Sequence, residues 1–232
     1  MSGSSGTLAM LTAMTSKGER RSRAVDQSGR PLGPRALQTR RRLLDATDAL
    51  LAERPVREVS VVEIARRALT SPATFYQYFQ DVEEATLELA REAGEEAPAI
   101  LDPLRADWRG RAGLDAARAG VDAFVRHWDD HHAVLLFRNV AAEQGDRRFR
   151  KVRIKALHPV IEVLAKKIGE ARDAGRVASP IHPYAAAAAL ASMLERLATF
   201  HQELEYFGVT RENLVETCAR ILYQTVTGRP AP

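Results

Sequence analysis

Three groups of residues have side-chain types and spacings that could do chemistry. The first lies in residues 60–79, SVVEIARRALTSPATFYQYF. Ser60 with Glu63 has the form of a capping box, so a helix is expected to start there. Val61, Ile64, Ala65 and Ala68 recur at helical spacing and make one apolar face. Leu69 and Thr70 interrupt it. Ser71 can cap a second helix, and Pro72 takes its first position, where a missing N–H costs nothing. Phe75 and Phe79 lie four apart and face back onto the first helix. Ala73, Thr74, Tyr76, Gln77 and Tyr78 then turn outward or sideways. Two short helices joined by a tight turn are the arrangement by which a second helix enters the major groove of DNA. The exposed residues suit base reading. Gln77 can pair with adenine through two hydrogen bonds, and Ala73 or the Thr74 methyl can touch a thymine methyl. Ser60 and Ser71 open helices, where a hydroxyl and backbone N–H groups suit phosphate.

The second group is His127 and His131, with Asp130 and His132 beside them. A four-residue spacing puts two imidazoles on one helix face, which could hold a metal. No Cys or Glu-x-x-His companion appears, and the stretch falls at an expected helix end. A solvated polar break is the plainer reading, and no metal is expected. The third group is apolar: Trp108, Phe124, Trp128, Leu135, Phe137, Leu164 and Phe200 lie on several different helices. For any one of them core packing is the simpler role.

Positioning these residues requires helices almost throughout. Ala, Leu, Arg and Glu dominate the chain, which favours helix, and no β-branched run alternates apolar with polar, so no sheet is expected. Helices are expected over about 39–53, 61–68 and 72–79, with a fourth capped by Asp81 and Glu84. Gly94, Pro98 and Pro103 break that fourth helix. Further helices are expected over about 112–130, 133–143, 146–174, 181–206 and 211–227. The fold class is therefore all-α: a three-helix reading head over 38–84 and a larger helical domain over 85–228, after a disordered basic tail over 1–37.

The residues Ile64, Ala65, Ala68, Ser71, Thr74, Phe75, Tyr76, Tyr78 and Phe79, in this order and spacing, resemble the DNA-binding signature of TetR-type transcriptional regulators. The resemblance spans about 39–92. It implies a homeodomain-like helix-turn-helix and a helical ligand-binding and dimerisation domain. It also implies phosphate contacts from Tyr76 and Tyr78, and a ligand cavity among the helices that carry the third group. With so few charges on those faces, an apolar effector is expected. Gly120, one turn before Phe124, should share that cavity. The resemblance implies a homodimer built from Tyr184 to Leu204 and from Leu214 to Val226, a palindromic operator in double-stranded DNA, and repression relieved by a small molecule. Two positions depart from the family pattern: Leu69 stands where the turn usually has Gly, and Val82 where the fourth helix usually starts with Lys. The first implies a strained turn and the second the loss of a phosphate contact, so a sensory protein with a weakened reading head is the alternative.

Composition narrows the remaining classes. The one cysteine, Cys218, excludes an intrachain disulfide and suits a reducing cytoplasm. The longest apolar run, residues 184–194, is too short to span a bilayer, so no membrane partner is expected. No Gly-x-Ser-x-Gly, Gly-x-Gly-x-x-Gly or phosphate-cradling loop is present, so neither an enzyme nor a cofactor is expected. Charge is uneven. Residues 1–42 hold nine Lys and Arg against Glu19 and Asp26, a net of +7, whereas the whole chain is +4. The basic end precedes the helix-turn-helix, which suits a polyanion. Arg40, Arg41 and Arg42 are candidate phosphate contacts, because three arginines near a helix N-terminus oppose its dipole. Deleting residues 1–37 is expected to weaken DNA binding and flatten its salt dependence. Each phosphate neutralised contributes roughly 0.9 to the log–log slope, and titrating binding against salt checks it.

Overall fold

The computed structural model describes residues 26–232, and every described element of regular structure is helical. Helix α1 (Pro34–Glu53) begins with Pro34 at its first turn and ends one residue before Arg54 and Pro55. It buries Leu43, Leu44, Thr47, Leu50 and Leu51. A 3-10 turn over Val56–Glu58 leads into α2 (Val61–Arg67). The capping box at its start is formed, with Glu63 N–H donating to Ser60 Oγ and Ser60 N–H to the Glu63 carboxylate. Helix α3 (Pro72–Tyr76) is capped by Ser71, which accepts from Thr74 N–H at 3.2 Å. Helix α4 (Val82–Gly94) is capped by Asp81, which accepts from Glu84 N–H at 2.7 Å. Phe75 and Phe79 are buried and in contact, their ring centroids 5.5 Å apart, and close the head core together with Leu43, Leu44 and Ile64.

The larger unit contains α5 (Ala97–Arg105), α6 (Gly110–Asp130), α7 (His132–Glu143), α8 (Arg147–Asp173), α9 (Pro183–Phe200) and α10 (Arg211–Thr227). One continuous core runs from Ala93 through Leu104, Val121, Leu164 and Leu194 to Val226. The break expected between residues 94 and 104 falls at Gly94, where α4 ends. The sequence expects no separate helix just beyond it, yet α5 forms: Pro lies in its first turn, and Ile100, Leu101 and Leu104 are buried against α6 and α8, so tertiary burial supports a helix that the local signals do not announce. Helix α9 stops at Phe200, and residues His201–Phe207 continue as 3-10 turns rather than as α-helix. Gly228 caps α10 with φ of 66°. A side chain there would collide with the Arg176 carbonyl, whose oxygen lies 2.3 Å from the ideal Cβ position.

Helix α4 belongs to both units. Ala85, Leu89 and Ala90 enter the head core, Leu87 packs with Ala141, Ala142 and Phe149 of α7 and α8, and Ala93 joins the large core. The expected domain boundary at 84/85 therefore falls in the first turn of a helix that both units share.

Residues 26–37, expected to belong to a disordered tail over 1–37, are ordered. Residues 26–30 form a turn in which Asp26 accepts from Ser28 and Arg30 N–H, and α1 begins at Pro34. The tail expectation for residues 1–25 lies outside the described residues, and the deletion that tests it must stop at Val25 to leave the head whole.

Leu69 has φ of 54°, the left-handed region. Its side chain is 83% exposed, so little packing repays the Cβ strain. Leu69→Gly is expected to stabilise the fold by about 1 kcal/mol, read as a melting midpoint raised by about 2–4 °C.

Candidate nucleic-acid interface and ligand cavity

The outer surface of α3 carries Pro72, Ala73, Tyr76 and Gln77 together, all exposed beside Ser71. Thr74 is half-buried, and its hydroxyl lies 3.0 Å from Ser71 Oγ, so this pair braces the helix start as well as facing outward. Tyr76 is 54% exposed and stands edge-on to Phe75. Tyr78 is half-buried against the head core, which takes more of its ring than its neighbour's. Val82 also packs on that core, an apolar anchor where the family pattern has a cation.

A contact that the sequence did not reveal braces this surface. Gln27 N–H donates to the Gln77 carbonyl at 2.9 Å, and Gln27 Nε2 donates to the Tyr78 carbonyl and to the Glu84 carboxylate. The segment ahead of α1 thus closes the open end of the recognition helix through backbone carbonyls. No side-chain pattern reports such a contact, so it had no signal in the sequence.

The three arginines separate. Arg40 pairs with Glu88 at 2.6 Å and lies over the Phe79 ring. Arg41 pairs with Asp45 at 2.7 Å and Glu92 at 2.6 Å. Both therefore tie α1 to α4, a role that replaces the free phosphate contact expected of them. Arg42 is exposed and reaches only Thr39 Oγ1 at 3.4 Å, which leaves it as the phosphate candidate of the three. Ser60 and its hydroxyl are engaged in the cap, yet Ser60 is exposed.

The seven apolar candidates do not line one cavity. Phe124, Trp128 and Leu135 surround a small space of about 30 Å³ between α4, α5, α6, α7 and α8, completed by Gly94, Ile100, His127, Arg138 and Val160. Trp108 faces a polar recess at the other end of the domain, under Lys167. Phe137 borders a groove of about 570 Å³ between the end of α1 and α7. Leu164 is fully buried in the core, and Phe200 lies beneath the Arg196 guanidinium, 3.8 Å from its ring centre. Gly120 is also displaced from the expected cavity, because a Cβ there would lie 2.7 Å from Leu104 Cδ2 of α5. It is a helix-packing glycine.

Arg138 is the polar feature of the cavity. It is 3% exposed, and burial pulls its guanidinium down to about 10, still charged at neutral pH. It donates to Glu195 at 3.1 Å, and Glu195 also accepts from Arg153. Two guanidinium groups share this carboxylate, and of the three groups Arg138 is the one that lines the cavity. His127 stands at the same cavity, and burial holds its imidazole below the ordinary range. Cys218 is buried, its thiol pushed up to about 11, so it is protonated and packs as an apolar residue.

An exposed recognition helix on a compact head, joined by one shared helix to a bundle with an internal cavity, defines a helix-turn-helix DNA-binding regulator. Comparison with known proteins agrees. Residues 43–85 match the model of the bacterial regulatory proteins of the TetR family, and residues 104–232 match the tetracyclin repressor-like C-terminal domain. An uncharacterized HTH-type transcriptional regulator of Haemophilus influenzae is 32% identical over 144 residues, which is 59% of this chain and 67% of that protein. The fatty acid degradation regulator FadR of Bacillus halodurans superposes with a TM-score of 0.61 at 17% identity, covering 85% of this chain and 99% of that one. FadR of Bacillus subtilis, solved with stearoyl-CoA, gives a TM-score of 0.59 at 16% identity, covering 82% and 98%. The chain belongs to the TetR family of transcriptional regulators. Its relatives are regulators rather than enzymes, and among the described residues no helix is long and apolar enough to cross a membrane.

Gln77→Ala is expected to cost about 1–3 kcal/mol on the preferred site and to relax selection at one base pair per half-site. The backbone carbonyl that holds Gln27 is untouched by this change, so the head keeps its brace. Binding curves on matched and single-substituted duplexes check it; an equal loss on all sequences excludes base reading by Gln77.

Proposed function

We propose that the chain is a repressor that binds a palindromic operator as a homodimer and is released when a mainly apolar ligand with an acidic end enters the cavity beside α4. The observation that carries this reading is the place of Gly94. It ends α4 and also lines the cavity of about 30 Å³. That space holds about one water, so any larger ligand must push its walls apart. α4 is the wall that leads directly to α3. The heads of a two-fold dimer must present α3 at successive major grooves, about 34–36 Å apart, and displacement of α4 changes that spacing. The coupling is reciprocal, so operator DNA must weaken the ligand by the same factor.

The ligand class follows from the walls. Phe124, Trp128, Leu135 and Val160 offer apolar surface, and Arg138 offers one buried cation. An acyl chain bearing a carboxylate or phosphate meets both, and the Bacillus subtilis relative was solved with stearoyl-CoA. The dimer reading is supported by the faces that α9 and α10 leave open. Ala185, Ala189 and Ser192 form an exposed stripe on α9, and Ile221 is 39% exposed on α10. Leu190 and Leu194, expected to supply dimer area, instead fill the chain's own core. Small residues on α9 would then let two backbones approach closely. On this reading the protein works in the cytoplasm, beside its DNA.

The test selects random duplexes with the purified full chain, sequences them, and titrates the chosen operator with fatty acids and acyl-CoA esters. An inverted repeat with half-sites one or more helical turns apart, released by the acids, is the expected result. Absence of any selected repeat would instead favour the sensory protein with a weakened head. Arg138→Met keeps the volume and leaves Glu195 paired with Arg153. It is expected to abolish release by acids while leaving operator affinity within about threefold of wild type, about 0.6 kcal/mol, because Arg138 lies in the bundle and not on the DNA-facing surface of α3.

A further inference from the structure

We infer that Glu96, His127 and His131 form a binding site for one divalent transition-metal ion of the zinc class, joining the end of α4 to the corner between α6 and α7. The three offer one ligand atom each, and these atoms all lie within 4.8 Å of one another. Glu96 Oε2 is 3.0 Å from His131 Nε2 and 3.7 Å from His127 Nδ1. Around a tetrahedral ion with bonds of about 2.0–2.2 Å, donor atoms stand roughly 3.3 Å apart; the two Glu96 separations straddle that value, and the two imidazole nitrogens lie within 4.8 Å of each other, so the imidazoles close onto an ion by side-chain adjustment.

Two further observations point to an ion. His127 Nδ1 is shielded from solvent and has no hydrogen-bond partner. Buried polar nitrogens ordinarily have one, and a metal would complete it. The donors meet where helix ends come together: His127 is in the last turn of α6, His131 caps that helix, and Glu96 caps α5. Two imidazoles and one carboxylate are the donor types that zinc, nickel and cobalt accept, and three protein ligands leave a fourth position open. The surrounding charges favour a cation. The Asp48 carboxyl of α1 interacts with His131, and the positive Arg138, which acts against charge on His127, is held by Glu195 at 3.1 Å.

The site shares His127 with the wall of the cavity, but its test needs neither DNA nor an acyl ligand. The untagged full chain, stripped with chelator, is titrated with Co²⁺ and Zn²⁺. One equivalent per chain is expected, with the intense visible bands of four-coordinate Co²⁺ that Zn²⁺ removes, and with a rise in melting temperature that grows with metal concentration. Glu96→Gln changes an exposed side chain and His131→Gln a helix cap. Each is expected to weaken binding by more than about 100-fold, beyond what loss of an outer partner does, and to cancel the thermal shift. A His158→Gln control is expected to bind as wild type does. If no stoichiometric metal binds, or if the Glu96 and His131 variants bind as tightly as wild type while folded by circular dichroism, the inference is wrong.

Discussion

Everything in this chain depends on the burial of α4 on three sides at once. Ala85, Leu89 and Ala90 complete the head, Leu87 packs against α7 and α8, and Ala93 enters the large core. A helix with one apolar stripe can serve a single core. This one has alanine and leucine around most of its circumference, interrupted by acidic residues that meet arginines from α1. The head therefore cannot move independently of the bundle by sliding along a polar seam. A shift at one end of α4 must reappear at the other, because close-packed interiors transmit displacement rather than absorb it.

Electrostatics adds orientation to that packing. Arg40 and Arg41 reach Glu88 and Glu92, which set the angle between α1 and α4. These partly exposed pairs contribute little to stability; their value is in fixing direction. The deeper network of Arg138, Glu195 and Arg153 crosses from α7 to α8 and α9 and is largely sealed from water. Removing one member of such a network leaves a buried charge in need of another partner.

Local patterns were legible in residue order. The capping box at Ser60, the cap at Ser71 and the buried pair Phe75 and Phe79 are all formed as their spacing implies. Such features depend on residues within one or two turns of each other, so residue order contains all the physics. The strained turn at Leu69 is of the same kind: a bulky residue where the backbone needs positive φ. Helix α5 escaped because its glycine and proline signals are local, while the burial of Ile100 and Leu104 that stabilises it is not.

The sequence by itself determined the all-helical class, the reading head and the family. Each rests on short-range spacing and a specific order of side chains. Tertiary structure alone decided which residues meet. It paired Arg40 and Arg41 with Glu88 and Glu92 of α4, distributed Trp108, Phe137, Leu164 and Phe200 away from the cavity, and placed Gly120 against Leu104. It also supplied the companion that His127 and His131 lacked, since Glu96 arrives from more than thirty positions upstream. The reason is common to all of these. Helical periodicity tells which face of a helix is buried, but the partner of that face is chosen by how every helix packs at once, and no stretch of sequence contains that choice.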